Sequence, residues 1–320
     1  MYNEIRRNCD IFAENRELIR SRYKLDSSMM SLAYAEIDLK GEIERLSSCE
    51  DILRETLPRE SVFREEIRIP LICNMAKSDN PEGFLKKAEM LYGLMNRGRK
   101  SDCVYRAIAS VFTAGRIDFE DCSQVAARTL EGYESLKKVR RFSTSESSIP
   151  LAAMLAISCR DKDRLKLETD ACYEILRRTF KSGGSRQALA LIIALCGGDV
   201  ILSCRRAEDI FEGLRENRHR FGTGIEAATL GILASLDGDT DDFVDEIIMA
   251  DEYLKTEKGF GTFAVSAETR RMYAAIMVIR TRMEREDKGR ESFIDSAIEI
   301  LMIMMVTHMI ADVATSTICD

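Results

Sequence analysis

The chain has no tryptophan, two histidines (His219 and His308) and four prolines in 320 residues. With so little of either aromatic heterocycle, the usual means of sugar stacking, of histidine acid–base catalysis and of histidine-rich zinc ligation are scarce. The prolines stand at positions 58, 70, 81 and 150, so the second half of the chain has no proline break, and Ala, Leu, Glu, Arg and Met are abundant. Proline removes a donor and clashes with the preceding turn of a helix, so this composition reads as helix throughout. Long apolar runs are also missing. The longest in the C-terminal stretch AIEILMIMMVTHMIADVA, Ile300–Val306, is seven residues, where about 20 are needed to span a bilayer. A buried helix is expected there, with His308 as a core histidine. The N-terminus, MYNEIRRNCDIF, lacks the apolar region of a secretory signal.

Ten cysteines are present, and no two form a Cys-x-x-Cys pair. A disulfide framework belongs to small secreted chains and a zinc site needs clustered ligands, so buried free thiols in a reducing cytoplasm are expected. The net charge is −7, and it is unevenly spread. Residues 101–220 carry 20 basic and 17 acidic side chains, and residues 221–320 carry 9 and 19. Bulk charge gives no drive towards nucleic acid, which is not expected as a partner.

The informative feature is self-similarity at about 40 residues, the mark of a helical-repeat architecture. Apolar segments beginning IPLICNMAKSD (Ile69), YRAIASVFTAGRID (Tyr105), IPLAAMLAISCRD (Ile149), RQALALIIALCGGD (Arg186) and IEAATLGILASLDGD (Ile225) close on Asp79, Asp118, Asp161, Asp199 and Asp237. An amphipathic helix follows each turn, carrying Tyr92/Met95, Tyr133/Leu136, Tyr173/Leu176 or Phe211/Leu214. Basic residues come next, then a phenylalanine beside Ser, Thr or Gly, at positions 142, 180, 221 and 260. Each unit reads as an α-hairpin whose first helix is apolar all round and must be covered on several sides. The acidic turn supplies the N-cap of the second helix, and basic residues complement its C-terminal end. Ser143/Glu146 and Thr223/Glu226 read as capping boxes opening the next apolar helix. The recurrent phenylalanine is expected to fill the gap between neighbouring hairpins.

The phrases YESLKKVRRFSTSESSIPLAAMLA, YEILRRTFKSGG and FEGLRENRHRFGTGIEAATLGILA resemble a bacterial family of unknown function, the domain numbered four thousand and three, over nearly the whole chain. The loop RHRFGTG, with His219, Phe221, Gly222 and Thr223, is similar to one of its recurring phrases. The resemblance implies a bacterial cytoplasmic protein and carries no activity with it.

Motifs of known chemistry all fail on context. Gly222–Ala228 fits a loose dinucleotide fingerprint but follows RENRHRF rather than a strand, so it reads as a helix-opening loop. The stretch DGDTDDFVDEII from Asp237 imitates a calcium loop at its first, third and fifth positions, but has Asp242 in place of the turn glycine and Ile248 in place of the final glutamate. Ser21/Lys24 and Ser135/Lys138 match Ser-x-x-Lys without the partner motifs of serine acylases. No cofactor is expected.

The expected fold is therefore all-α, with stacked α-hairpin repeats of about 40 residues in an open solenoid, a closed α/α toroid being the alternative. One domain, 1–320, would comprise a capping helix at 2–24, hairpins over 27–287 and an apolar helix at 291–318. The expected function is a non-enzymatic binding scaffold or adaptor. Basic residues recurring at the ends of the amphipathic helices would line one rim, and Lys137, Arg140, Arg141, Arg177, Arg178, Arg215, Arg218 and Arg220 are the candidates for docking an acidic protein segment or a phosphate-bearing ligand. Two other readings stay open. One is a toroid enzyme using Glu146, Glu226 and Glu268 at a cavity mouth. The other is a regulatory subunit that forms a homodimer through the C-terminal helix.

Overall fold

The computed structural model describes residues 1–23, 43–65, 67–99, 103–139, 144–158, 160–224, 226–261 and 265–284. Every regular element among them is helical: α1 (Tyr2–Tyr23), α2 (Ile43–Thr56), α3 (Arg68–Lys77), α4 (Pro81–Asn96), α5 (Val104–Ala114), α6 (Cys122–Val139), α7 (Ile149–Ile157), α8 (Lys162–Ile175), α9 (Gly183–Cys196), α10 (Val200–Glu216), α11 (Ala227–Ser235), α12 (Thr240–Thr256) and α13 (Ala267–Met283), with 3-10 turns before α6 and α7. No helix among the described residues is long and apolar enough to cross a membrane. The apolar segment 291–318, with His308, lies outside the described residues.

The acidic turns start helices as their residue types require, with local variation. Asp161 accepts the Arg164 amide at 2.8 Å, and Asp199 accepts those of Ile201 and Leu202 at 3.0 and 3.1 Å. At two turns the cap has moved on from the marked aspartate. Asn80 rather than Asp79 caps α4, and Asp239 rather than Asp237 caps α12. Asp118 instead leads into the 3-10 turn Phe119–Asp121. At Asn80, Asp161, Asp199 and Asp239 a side-chain oxygen is offered to amides that have no partner within the helix, whereas the Asp118 side chain makes no such bond.

The described residues fall into two compact units, one of 43–158 and one of 1–23 with 160–284. In the second, α9, α11 and α13 pack side by side as a buried layer, and α8, α10 and α12 form a half-exposed layer on them. The first unit repeats the plan with α5 and α7 beneath α4 and α6. All of Ala227–Ser235 is buried, as the apolar text of this helix demands. Gly231 lets α11 approach α9, because a Cβ there would meet Leu189 Cδ1 at 3.0 Å and Ile192 Cγ2 at 3.2 Å. The sequence suggests helix pairs closed across the acidic turns. In the structure the more extensive pairings run across the other connections, α4–α5 across the basic segment 97–103 and α6–α7, α8–α9, α10–α11 and α12–α13 across the phenylalanine loops.

Two fastenings recur in this arrangement. Cations on the half-exposed helices donate to the carbonyl immediately before the next acidic turn: Arg45 to Ser78 at 2.7 Å, Lys87 to Ile117 at 2.7 Å and Arg206 to Leu236 at 2.8 Å. The last two pairs are each 30 residues apart, and His219 and Asp251 are 32 apart. The sequence repeat here is about 38 residues, so α12 is slid roughly two turns along α10. The second fastening is an arginine at the start of a buried helix that donates to the carbonyl of the loop phenylalanine, Arg186 to Phe180 at 3.2 Å and Arg270 to Phe260 at 3.3 Å.

The N-terminal helix α1 packs on α12 and α13. Phe12 is fully buried, with its ring centroid 4.9 Å from that of Phe260 and 5.3 Å from that of Tyr273. Asn8 donates to Thr281 at 2.9 Å, and Arg16 to the Lys258 carbonyl at 3.2 Å. Gly259, with φ of +91°, makes room for that arginine, since a Cβ there would lie 1.7 Å from Arg16 Nη1.

Candidate functional site

The half-exposed helices α8 and α10 run parallel, with Phe180 against Phe211 (centroids 4.9 Å apart) and Thr179 donating to Glu208 at 2.5 Å. The residues just past the end of α8 therefore lie against the middle and later turns of α10, whose own end runs on beyond them. Five of the candidate cations stand on these ends or just beyond them: Arg177 and Arg178 after α8, and Arg215, Arg218 and Arg220 at the end of α10. All five are exposed. Arg177 lies 3.8 Å from Glu174, and Arg215 pairs with Glu212. Arg178, Arg218 and Arg220 make no ion pair among the described residues. Lys137 is exposed on the last turn of α6, in the other compact unit, with its ammonium 5.5 Å from the Tyr133 ring centroid. Arg140 and Arg141 lie outside the described residues.

The loop 217–224 beyond α10 is held at several points. Arg218 N–H donates to the Arg215 carbonyl at 3.1 Å and His219 N–H to the Leu214 carbonyl at 2.7 Å. This is the Schellman closure, which needs a left-handed residue just past the helix end. That residue is Arg218, with φ of +63°. Glycine takes such a conformation freely, whereas a side chain there costs on the order of 1 kcal/mol.

The closure points His219 at α12. Its Nδ1–H donates to Asp251 Oδ2 at 2.9 Å, and Nε2 lies 3.9 Å from Glu252 Oε1. Asp251 is wholly buried and also accepts Arg270 Nε at 2.7 Å, while Arg271 Nε lies 3.5 Å from it. Arg271 in turn donates to the Arg220 carbonyl at 2.9 Å, and Phe221 is fully buried. His219, Asp251 and Glu252 are grouped closely enough to share a cation. Asp251, however, is already engaged by two guanidiniums, and Glu252 by Lys255 at 3.1 Å, so the cluster is electrostatically satisfied without an ion.

The carboxylates that the enzyme alternative would use are each engaged by the fold. Glu146 accepts buried Arg106 at 2.5 Å and the Cys103 thiol at 3.4 Å. Glu226 accepts the Gly224 amide at 2.6 Å. Burial, and then the Glu268 charge, push its carboxyl above the ordinary range. Only half of the expected Thr223/Glu226 capping box forms: Glu226 reaches back to the loop, but the Thr223 hydroxyl turns away to Glu268 at 2.9 Å on the start of α13. Ser143 lies outside the described residues, so the other box is not described.

The buried network around Asp251 was not read from the sequence, although one signal for it exists. Asp251 interrupts the stripe Phe243, Ile247, Ala250 and Leu254, all of them buried. A lone carboxylate on an apolar face demands a cationic partner.

Fold and site together define an all-helical protein whose polar features are fastenings between helices, with a basic edge on the ends of α8 and α10. The chain belongs to the family described as Protein of unknown function (DUF4003), whose model matches residues 11–313. No curated protein and no solved structure matches it.

Proposed function

We propose that the protein is a non-enzymatic helical-repeat scaffold, its hairpins over 27–287 forming one continuous open array that docks an acidic protein partner on the edge formed by α8 and α10. The observation that carries this reading is the contrast in how cations are used. Arg45, Lys87, Arg106, Arg206 and Arg270 are each taken up by a carbonyl or carboxylate of the fold. Arg178, Arg218 and Arg220, at and beyond the ends of the parallel helices α8 and α10, are exposed and make no ion pair among the described residues. Exposed cations on one edge steer an oppositely charged partner and set its register. The engagement of Glu146, Glu226 and Glu268 in structural contacts favours the scaffold over the toroid enzyme.

The test is affinity co-purification of the tagged full chain at low and high salt, beside a variant with Arg177, Arg178, Arg215 and Arg220 changed to glutamate. A partner lost both at high salt and in the variant is the expected result. A partner that survives the reversal would place docking elsewhere. Solution scattering of the purified chain tests the array, because a compact particle with a central pit would favour the toroid.

A further inference from the structure

We propose that the loop Arg218–His219–Arg220 is the recognition element of this edge, and that it grips a short carboxylate-rich peptide segment of a partner. The inference rests on the scaffold reading and adds a specific residue to it. Arg218 is the one non-glycine with positive φ among the described residues. Its position is where glycine or asparagine closes a helix without strain. The helix end does not need a cation there, since Arg215 in the last turn already complements its negative pole. A side chain kept in an unfavourable conformation at an exposed position points to a role outside folding.

The surroundings make the loop a rigid platform. The His219 amide is bound to Leu214, its ring to buried Asp251, the Arg220 carbonyl to Arg271, and Phe221 is sealed in the core. Arg218 and Arg220 flank this anchored histidine and are both exposed. A loop already fixed in place loses little freedom on binding, so the two guanidiniums are presented at low entropic cost. Guanidinium groups pair with carboxylates through two parallel hydrogen bonds.

The charge around the loop selects the ligand. Glu212, Glu216 and Glu252 share these helix ends, and a long polyphosphate backbone would meet them repeatedly. A peptide with a few spaced carboxylates can place them at Arg218, Arg220 and Arg178 and avoid the glutamates.

The experiment uses the full chain with fluorescein-labelled decaglutamate as probe, read by anisotropy at low and high salt, with the thermal midpoint measured in parallel. Arg218→Gly should bind the probe roughly tenfold more weakly than the wild type and melt about 2 °C higher. Arg220→Glu should weaken binding at least as much. A purely structural arginine would show no loss of binding, and an Arg218→Gly midpoint at or below that of the wild type would remove the strain argument. If the wild type binds and only changes at Arg177 and Arg178 abolish binding, the edge stands and the loop inference falls. If the wild type does not bind the probe, or prefers a single-stranded RNA of equal charge, the acidic-peptide reading falls with it.

Discussion

Arg186 and Arg270 make the same fastening in two chemical versions. Each opens a buried helix and donates to the carbonyl of the preceding loop phenylalanine. Arg186 completes its coordination with a neutral partner, donating to the Tyr173 hydroxyl at 2.8 Å with its guanidinium carbon 4.2 Å from the Tyr173 ring centroid. Arg270 instead uses the buried carboxylate of Asp251, which also holds His219 and Arg271. The first version fastens only the loop of its own outer helix, and Arg177 and Arg178 stand in solvent just before it. The second also reaches the loop 217–224 beyond the end of α10 and fixes it through His219 and Arg271. One repeat plan thus yields an exposed basic pair just past α8 and an anchored basic loop just past α10, and the two clamps differ by a tyrosine or an aspartate.

The largest way to break this comparison is Asp251→Ala. It strands Arg270, whose side chain is 5% exposed, and should cost about 3–5 kcal/mol in chemical denaturation. Tyr173→Phe removes a neutral acceptor and keeps the ring beneath Arg186, so a loss of about 1–2 kcal/mol is expected. Equal losses at the two sites would erase the distinction. Gly231→Val, which forces side-chain atoms into α9, should cost about 1–3 kcal/mol and would show whether the buried layer is as tightly fitted as both fastenings require.

A smaller effect sharpens the comparison through pH. The Glu226 carboxyl is raised in the folded state by burial and by Glu268, so the fold binds its proton more tightly than the unfolded chain does. Its charge therefore destabilises the fold at neutral pH, and that penalty fades as pH falls through the raised value. Glu226→Gln should accordingly be more stable than the wild type near neutrality, with the gap closing in acid. A gap that does not change with pH would show that the hydrogen bonds to the carboxylate cancel the effect of burial. The smallest expected effect is on stability in Arg178→Glu, within about 0.5 kcal/mol, because no ion pair among the described residues is lost.

Much of the helix pattern was legible because it depends on local residue types: apolar runs such as Ala188–Leu195, the caps at Asp161 and Asp199, and the basic ends. What escaped was set by contacts distant in sequence. Thr223 has the spacing of a cap, yet Glu268 competes for its hydroxyl from 45 residues away. The α8–α9 and α12–α13 pairings are each fastened by an arginine clamp, and nothing in the local text distinguishes Arg186 or Arg270 from a solvated arginine. Of the candidate site, the cations of α8 and α10 were named from their recurrence, whereas the strain at Arg218 and the burial of Asp251 arise only once the chain is folded.

The docking of α1 against α12 and α13 has a consequence for how the chain is made. Arg16 and Lys258 are 242 residues apart, and Asn8 and Thr281 are 273 apart. At a synthesis rate of about 5–20 residues per second, the first helix leaves the ribosome roughly 12–50 seconds before its binding face exists. During that interval Ile5, Cys9, Phe12 and Ile19, all buried in the folded protein, have no native cover. Slowing translation between the codons of α1 and α13 should therefore lengthen the exposure and lower the yield of folded protein.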